Sequence, residues 1–395
     1  MAVETAGSVD RGVSSLWSDQ RFRAIAVQII VLVLLLAFTA FIAHNTAVNL
    51  EKRGIATGFG FLDVPAGFDI ATSLIPYNPT MTHGRVFFVG LLNTILVAVL
   101  GVIAATIIGF IVGVLRLSPN WLISRIAYVY VESMRNVPLL LHILFWWSIF
   151  LGLPAMRNAM SFGDVLFLSN RGFQAPSPIF EPGFSLVVIA FVVAVAISVA
   201  IHRWARKRQE ATGQLFPAYW TAAGLIIGLP LLAAAVSGFP LSFEIPEKKG
   251  FNFVGGFTIT PEFFGLWVAL SVYTAAFIAE NVRSGIQAVS HGQTEAAFAL
   301  GLRPSWTTRL IIVPQALRII VPPLTSQYLN LTKNSSLAIA VGYPDLVAVF
   351  GNTSLNQTGQ AIEIIAITMA VYLTLSLAIS SFMNWYNKKI ALVER

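Results

Sequence analysis

Apolar runs of about 20 residues recur along this chain, the length a helix needs to cross a hydrocarbon core. The first covers about 24–43 (AIAVQIIVLVLLLAFTAFIA), and the second covers about 87–115 and ends before Arg116. The third, about 126–152, is interrupted by Glu132 and Arg135. The fourth, about 184–201, holds no charge, and the fifth lies at about 217–238. The sixth, about 263–282, carries Glu280 near its end. The seventh falls within 316–350 and is broken by Lys333, Gly342, Pro344 and Asp345, and the eighth covers about 361–384. The pattern predicts an all-α integral membrane protein with about eight transmembrane helices.

Composition agrees with that pattern. Of 395 residues, 56% are hydrophobic and 11% are charged, against about a quarter charged in soluble domains. So few charges cannot cover the surface of two or three soluble domains, which excludes a cytosolic enzyme and a disordered scaffold. There is no cysteine, hence no disulfide and no thiolate chemistry. His44, His83, His142, His202 and His291 are scattered and suggest no metal site.

The net charge of +7 could point to nucleic acid. Its distribution argues for membrane orientation instead. With the amino terminus inside, sixteen of the 25 Lys and Arg fall in cytoplasmic segments and seven in outside loops. Arg135 and Lys333 lie within spans. The positive-inside rule and an even number of spans then place both tails, 1–23 and 386–395, in the cytoplasm. The first run reads as a retained span. The polar segment ahead of it is long, and the run exceeds the 7–15 residues of a signal-peptide core.

Three outside loops, about 44–86, 153–183 and 239–262, contain many Gly, Pro and Phe residues. They fit either interfacial packing or a docking surface for an extracytoplasmic partner. On the second span, Gly101, Ala105, Gly109 and Gly113 share one helix face and allow close backbone approach. Packing within the chain is the favoured reading.

The segment 290–316, SHGQTEAAFALGLRPSWTTRLIIVPQA, is the most informative. Ser290 and Gln293 stand in capping-box positions, Glu295 lies in the early turns, and Gly301 is placed to end the helix. Pro304 and Pro314 bound a basic amphipathic stretch. The result is a short, small-faced helix at the cytoplasmic surface, suited to a groove on another protein. Glu295-Ala296-Ala297, then Gly301, then Ile311-Ile312-Val313-Pro314 resembles the EAA signature of ABC-importer permeases, with Val313 in place of the usual Leu. The flanking runs GQTEAAFALGL and VPQALRIIVPPLTSQYLNLTKNSSLAIAVGYPDL, with Arg135-Asn136-Val137-Pro138-Leu139-Leu140, resemble polar amino-acid permeases of the histidine/glutamine/arginine/opine type. Asn136-Val137 departs from the Gly-Thr more usual there. The extra amino-terminal span and the two inserted spans resemble the permeases of general L-amino-acid importers.

The resemblance implies a type I ABC importer permease fold over 87–385, with inserted spans at about 184–238 and a coupling loop at about 286–314. The segment 44–86 would be periplasmic. Gly292, Glu295, Ala296, Ala297, Gly301 and Pro314 would couple to an ATPase. Two ATP-binding subunits would hold ATP and Mg, so this chain would carry no cofactor. A second homologous permease subunit, a periplasmic amino-acid-binding protein and lipid would complete the partners, at the bacterial inner membrane.

No G-x-x-x-x-G-K-[ST] occurs, nor even the dipeptide Gly-Lys, so a phosphate-cradling P-loop is excluded. H-E-x-x-H and G-x-S-x-G are also missing, and no catalytic residue is expected. Charges inside a membrane cost about 2.5–3.5 kcal/mol at a helix centre and need a reason. Glu132 with Arg135, and Glu280 with Arg283, are spaced three apart and can neutralise each other. They are candidates for lining a substrate path, as are Asn136, Asn334, Ser335, Ser336 and Asp345. Gly342 and Pro344 break the seventh span, and irregular backbone at that depth must be buried or line a cavity. An ion-gradient-driven amino-acid carrier is the alternative function, and a non-transport membrane component a further one. Neither accounts for the spaced motif at 295–314.

Overall fold

The structure is a computed structural model that describes residues 20–54, 57–250 and 252–390. Most of the expected amino-terminal tail and the last five residues lie outside the described residues. The helices are α1 Gln20–Arg53, α2 His83–Leu115, α3 Trp121–Asn136, α4 Leu139–Leu151, α5 Phe184–Thr212 and α6 Ala218–Val236. They continue with α7 Pro261–Gln287, α8 His291–Ala299, α9 Pro304–Thr307, α10 Val313–Asn334, α11 Leu355–Thr358 and α12 Ala361–Ile390. Among the described residues, seven helices are long and apolar enough to cross a membrane, or eight with α3 and α4 counted as one span.

The third run is not one straight helix. α3 and α4 meet at 109°. Pro138 has no N–H to donate and its ring forces the preceding residue out of the helical region; Val137 is extended, at φ −106° and ψ 133°. Hydropathy averaged over 126–152 passes over this break.

The core is built on α7. α2 lies along it, and the small-residue face makes the approach possible. A Cβ at Gly109 would stand 2.6 Å from Ile278 Cβ, and one at Gly113 would stand 2.7 Å from Val282 Cβ. Ala105 is buried, and Gly101 meets Leu331 of α10. This face therefore packs within the chain. α4 and α10 cover other sides of α7, at Gly265 against Trp147 and at Gly285 against Ile320. α7 ends where α8 begins, so α8 marks the same end of the bundle as Arg116 at the close of α2. This is the basic end of the bundle.

The inserted spans α5 and α6 form a hairpin, and two of three small antiparallel sheets join the segments on either side of it. One holds β1 Met160–Phe162, β2 Leu166–Ser169, β3 Gly172–Ala175 and β8 Phe257–Ile259 in spatial order. Another pairs β4 Ser177–Phe180 with β5 Leu241–Glu244, and the third pairs β6 Glu247–Lys249 with β7 Asn252–Val254. Phe173 opposes Ile259, and Ser177 opposes Glu244. These ladders return the chain to Thr260, whose hydroxyl caps α7 by accepting from Phe263 N. Gly172 is required in this sheet: at φ 116°, a Cβ would stand 2.1 Å from the Ile259 carbonyl oxygen. The strands are additions to the helical architecture that the hydropathy pattern predicts.

The segment 57–82 folds back over the start of α2. Phe61 packs with Leu346, Phe350 and Ile364, while Ala66 and Ile70 pack with Val86, Val89 and Val349. His83 Nδ1 meets Ser354 Oγ at 2.9 Å. Part of the first long loop thus serves packing within the chain. On α1, the large apolar side chains from Ile25 to Phe41 are exposed, as lipid-facing side chains are in a spanning helix.

Candidate functional site

α8 stands out from the bundle. Ala297 is buried, while Gln293, Glu295, Ala296 and Phe298 are exposed. Its start is not the expected capping box. The Ser290 side chain makes no cap bond; instead Gln293 Oε1 accepts from Gln315 Nε2 of α10 at 3.1 Å. The amide is thereby drawn across to a neighbouring helix, away from the Ser290 backbone. Glu295 Oε1 lies 3.2 Å from His291 Nδ1 one turn earlier, and both side chains are largely solvent-facing.

The end of α8 is built as expected. Gly301 adopts φ 74°, a conformation that glycine enters without a Cβ penalty. Gly301 N donates to Phe298 O at 2.9 Å and Leu302 N to Ala297 O at 3.1 Å, the paired bonds of a Schellman closure. The chain then enters α9 at Pro304 and passes through a π turn, Thr308–Ile312, into α10. Pro314 is in the first turn of α10. It cannot donate to Leu310, so the helical ladder widens immediately before it. A short three-residue link, 288–290, joins α8 to α7, and two proline-marked turns join it to α10.

Next to this region lies an ion cluster centred on Glu280. Arg283 Nη2 reaches Glu280 Oε1 at 2.5 Å, the expected pairing. Arg116, from the end of α2, also bonds Glu280, and Arg135 Nη1 lies 4.0 Å from it. The expected Glu132–Arg135 neutralisation is replaced: Arg135 turns to Glu280, and Glu132 Oε2 lies 3.5 Å from Asn136 Nδ2. The physical reason is that Glu280, held by Arg116 and Arg283, lies within reach of the Arg135 guanidinium across the helix interface. Three guanidiniums thus gather around one carboxylate.

The break in the seventh span lies at the other end of α10. Residues Ser335–Val341 form a 3₁₀ turn, Gly342 has φ 78°, and Val347–Ser354 form a π-helical segment. The irregular backbone between them is stitched to α2. Asn93 Nδ2 donates to Pro344 O at 2.9 Å and to Thr72 O at 2.8 Å. Leu346 N donates to Thr94 Oγ1 at 3.0 Å. Gly90 lets the two backbones meet, since a Cβ there would stand 2.8 Å from Leu346 Cα. Asn93, Thr94 and Gly90 are absent from the sequence-based candidates, because neutral polar residues in a 33-residue apolar helix give no charge signal.

The path candidates fall into two groups. Arg135, Glu280 and Arg283 meet at the basic end, with the half-buried Glu132 and the exposed Asn136 close by on α3. Ser336 joins Lys333, Thr368 and Tyr372 in a cleft of about 330 Å³. Asp345 is buried behind that cleft: its Oδ1 accepts from Ala348 N at 2.8 Å and its Oδ2 lies 3.4 Å from the Tyr372 hydroxyl. Ser335 is buried and its hydroxyl donates to Thr332 O; the Ser336 hydroxyl donates to Lys333 O. Asn334 closes α10 beside them. Gly285 packs on Ile320, and Lys333 is thirteen helical residues further along α10, or about 20 Å. The two groups are therefore separated along the bundle.

Comparison with known proteins adds a family to this geometry. Residues 105–392 match the family described as "Binding-protein-dependent transport system inner membrane component". The chain is 57% identical over 378 residues to the general L-amino acid transport system permease protein AapQ of Rhizobium johnstonii, covering 95% of this chain and 94% of that one. It is 52% identical to the putative amino-acid ABC transporter permease protein YhdX of Escherichia coli, over 96% and 97% of the two chains. It is 48% identical to the glutamate/glutamine/aspartate/asparagine transport system permease protein BztB of Rhodobacter capsulatus, over 97% of each. A solved amino acid ABC transporter with histidines aligns over 78% of this chain and 95% of its own at 19% identity, with a TM-score of 0.46. The exposed α8, its EAA spacing and this match over most of the chain lead to one assignment: the protein belongs to the family of binding-protein-dependent transport system inner membrane components.

Proposed function

We propose that this chain is the amino-acid permease subunit of an ATP-driven importer, with a broad range of L-amino acids as substrates. The single observation that carries the reading is α8: an exposed nine-residue helix closed by a Schellman turn and joined to α10 through two proline-marked turns. Ala296 and Ala297 keep it slim, Glu295 presents a charge on its open side, and Gly292 leaves its first turn without a side chain. Such a helix fits a groove on an ATP-binding subunit. Two such subunits, holding ATP and Mg, would pull on α8 as they close. Its fixed joints would pass that movement to α7 and α10, on which the core is built.

The ion cluster at Glu280 and the cleft at Lys333 and Ser336 are the proposed polar stations along the path. Each offers both a cation and an acceptor, as a zwitterion requires for its carboxylate and its ammonium. In this reading the basic end is cytoplasmic with both termini, and a binding protein delivers substrate at the opposite face. A second homologous permease completes the pore.

The test is a mild-detergent purification of the tagged chain from its native cells, followed by ATP hydrolysis on the eluate. A co-purifying P-loop ATPase, with hydrolysis rising when amino-acid-loaded binding protein is added, supports the reading. A chain that purifies alone, and whose amino-acid transport collapses with ionophores while ignoring ATP, contradicts it.

A further inference from the structure

A second polar site lies beside the ion cluster. The end of α2, the α2–α3 turn and the end of α7 enclose a cleft of about 450 Å³ lined by Arg116, Ser118, Trp121, Ser124, Arg125 and Arg283. Arg116 and Arg283 both bond Glu280. Arg125 makes no ion pair among the described residues, and its guanidinium sits 5.1 Å from the centre of the Tyr128 ring. Arg116 lies 5.3 Å from the same ring centre. One tyrosine thus positions two guanidiniums, and the cleft holds three arginines against one carboxylate.

The remaining donors are also arranged. Ser118 Oγ accepts from Asn120 N at 3.2 Å, which leaves its hydroxyl proton to donate. Ser124 donates to Arg116 O at 2.9 Å, which fixes the backbone at the mouth. Asn120 caps α3 through Leu122 N and Ile123 N, and the positive end of that helix dipole opens on the cleft. Apolar surface enters the lining through Pro119 and Trp121, and the Trp121 side chain is 75% exposed. An exposed tryptophan at a span end is the mark of the membrane interface.

We propose that this cleft binds the phosphate of an anionic phospholipid, with Arg125 and Ser118 as its dedicated ligands and Arg116 and Arg283 as shared ones. Guanidinium forks match phosphate oxygens bidentately. Basic pockets between spans at the membrane surface are suited to lipid headgroups. A free phosphate would satisfy the same cations. The exposed Trp121 in the lining favours the lipid, whose acyl chains would lie against it. This inference does not depend on transport activity, so it stands or fails separately from the importer reading.

The test is native mass spectrometry on the full chain with its co-purifying subunits, delipidated and then titrated with phosphatidylglycerol or phosphatidylcholine. The wild type is expected to retain phosphatidylglycerol preferentially. Arg125→Ala weakens that retention about fivefold, as expected for one cation at the membrane surface, and leaves phosphatidylcholine unchanged. Ser118→Ala acts in the same direction, and Arg206→Ala, on the exposed part of α5, has no effect. Equal retention of the two lipids, or unchanged retention in Arg125→Ala, overturns the proposal. Displacement of the lipid by an equal concentration of inorganic phosphate overturns the lipid assignment. Arg125 makes no ion pair with the Glu280 cluster, so its loss spares that network; Arg125→Lys, which keeps the charge, is a second check and is expected to retain most of the preference.

Discussion

His142 Nε2 stands 3.2 Å from the carbonyl oxygen of Met134. In an unbroken helix that carbonyl would accept from the N–H of residue 138, and Pro138 has none. The histidine supplies the missing donor from the far side of the bend, so the 109° turn between α3 and α4 leaves no orphaned acceptor there. A donating Nε2 requires the tautomer, or the charged ring, with a proton on that nitrogen.

His142→Phe fills the same space without a donor and leaves the Met134 carbonyl unpaired. The acceptor is part-buried, so the expected loss is about 1 kcal/mol, the lower part of the cost of an unsatisfied polar group. His142→Gln, which keeps an N–H, recovers part of it. Thermal unfolding of the detergent-solubilised protein checks both; equal melting temperatures for wild type and His142→Phe would remove the histidine from this role.

Glu280 is the hub of its cluster. Glu280→Gln leaves Arg116, Arg135 and Arg283 facing one another without a counter-charge. Hydrogen bonds to charged groups are worth about 1.5–3 kcal/mol each, and at least that much stability is expected to go. Glu280→Gln combined with Arg116→Gln restores some of the loss, a non-additive result that a double-mutant cycle measures.

Close packing of α2 on α7 gives a steric prediction. Gly113→Val places a side chain where a Cβ already meets Val282 and the Ala279 carbonyl at 2.7–2.8 Å. Overpacking of this kind costs about 1–3 kcal/mol. Gly228→Ala on α6, where nothing lies within 4 Å, is neutral or stabilising by up to about 1 kcal/mol. Parallel melting curves distinguish the two sites.

Asn93→Leu removes the donor that holds Thr72 O and Pro344 O. It is expected to destabilise by about 1–3 kcal/mol and to increase hydrogen exchange over 342–346 more than elsewhere. Exchange that stays at wild-type levels in that segment would show that Asn93 does not hold it.

How much of this was legible depended on the physical signal each element carries. α2, α5, α6, α7 and α12 are continuous helices that each hold a long apolar run, and hydropathy locates them. The α3–α4 break was not located, because one proline among apolar neighbours barely changes a windowed average. The strands are three or four residues long, too short for alternation to register. The Glu280–Arg283 spacing predicts a contact that a single helix enforces; Arg135 reaches a partner on another helix, which spacing cannot reveal. Gly301 was readable because its conformation is local. Gln293 was not, because its partner Gln315 is 22 residues away.

The central claim is that α8 is the coupling element, and Glu295→Lys tests it most directly. Glu295 is exposed and among the described residues pairs only with the exposed His291, so the substitution leaves the fold and membrane insertion intact. The account predicts weakened co-purification of the ATPase subunit and loss of amino-acid uptake in the inserted variant. Uptake at the wild-type rate would contradict it.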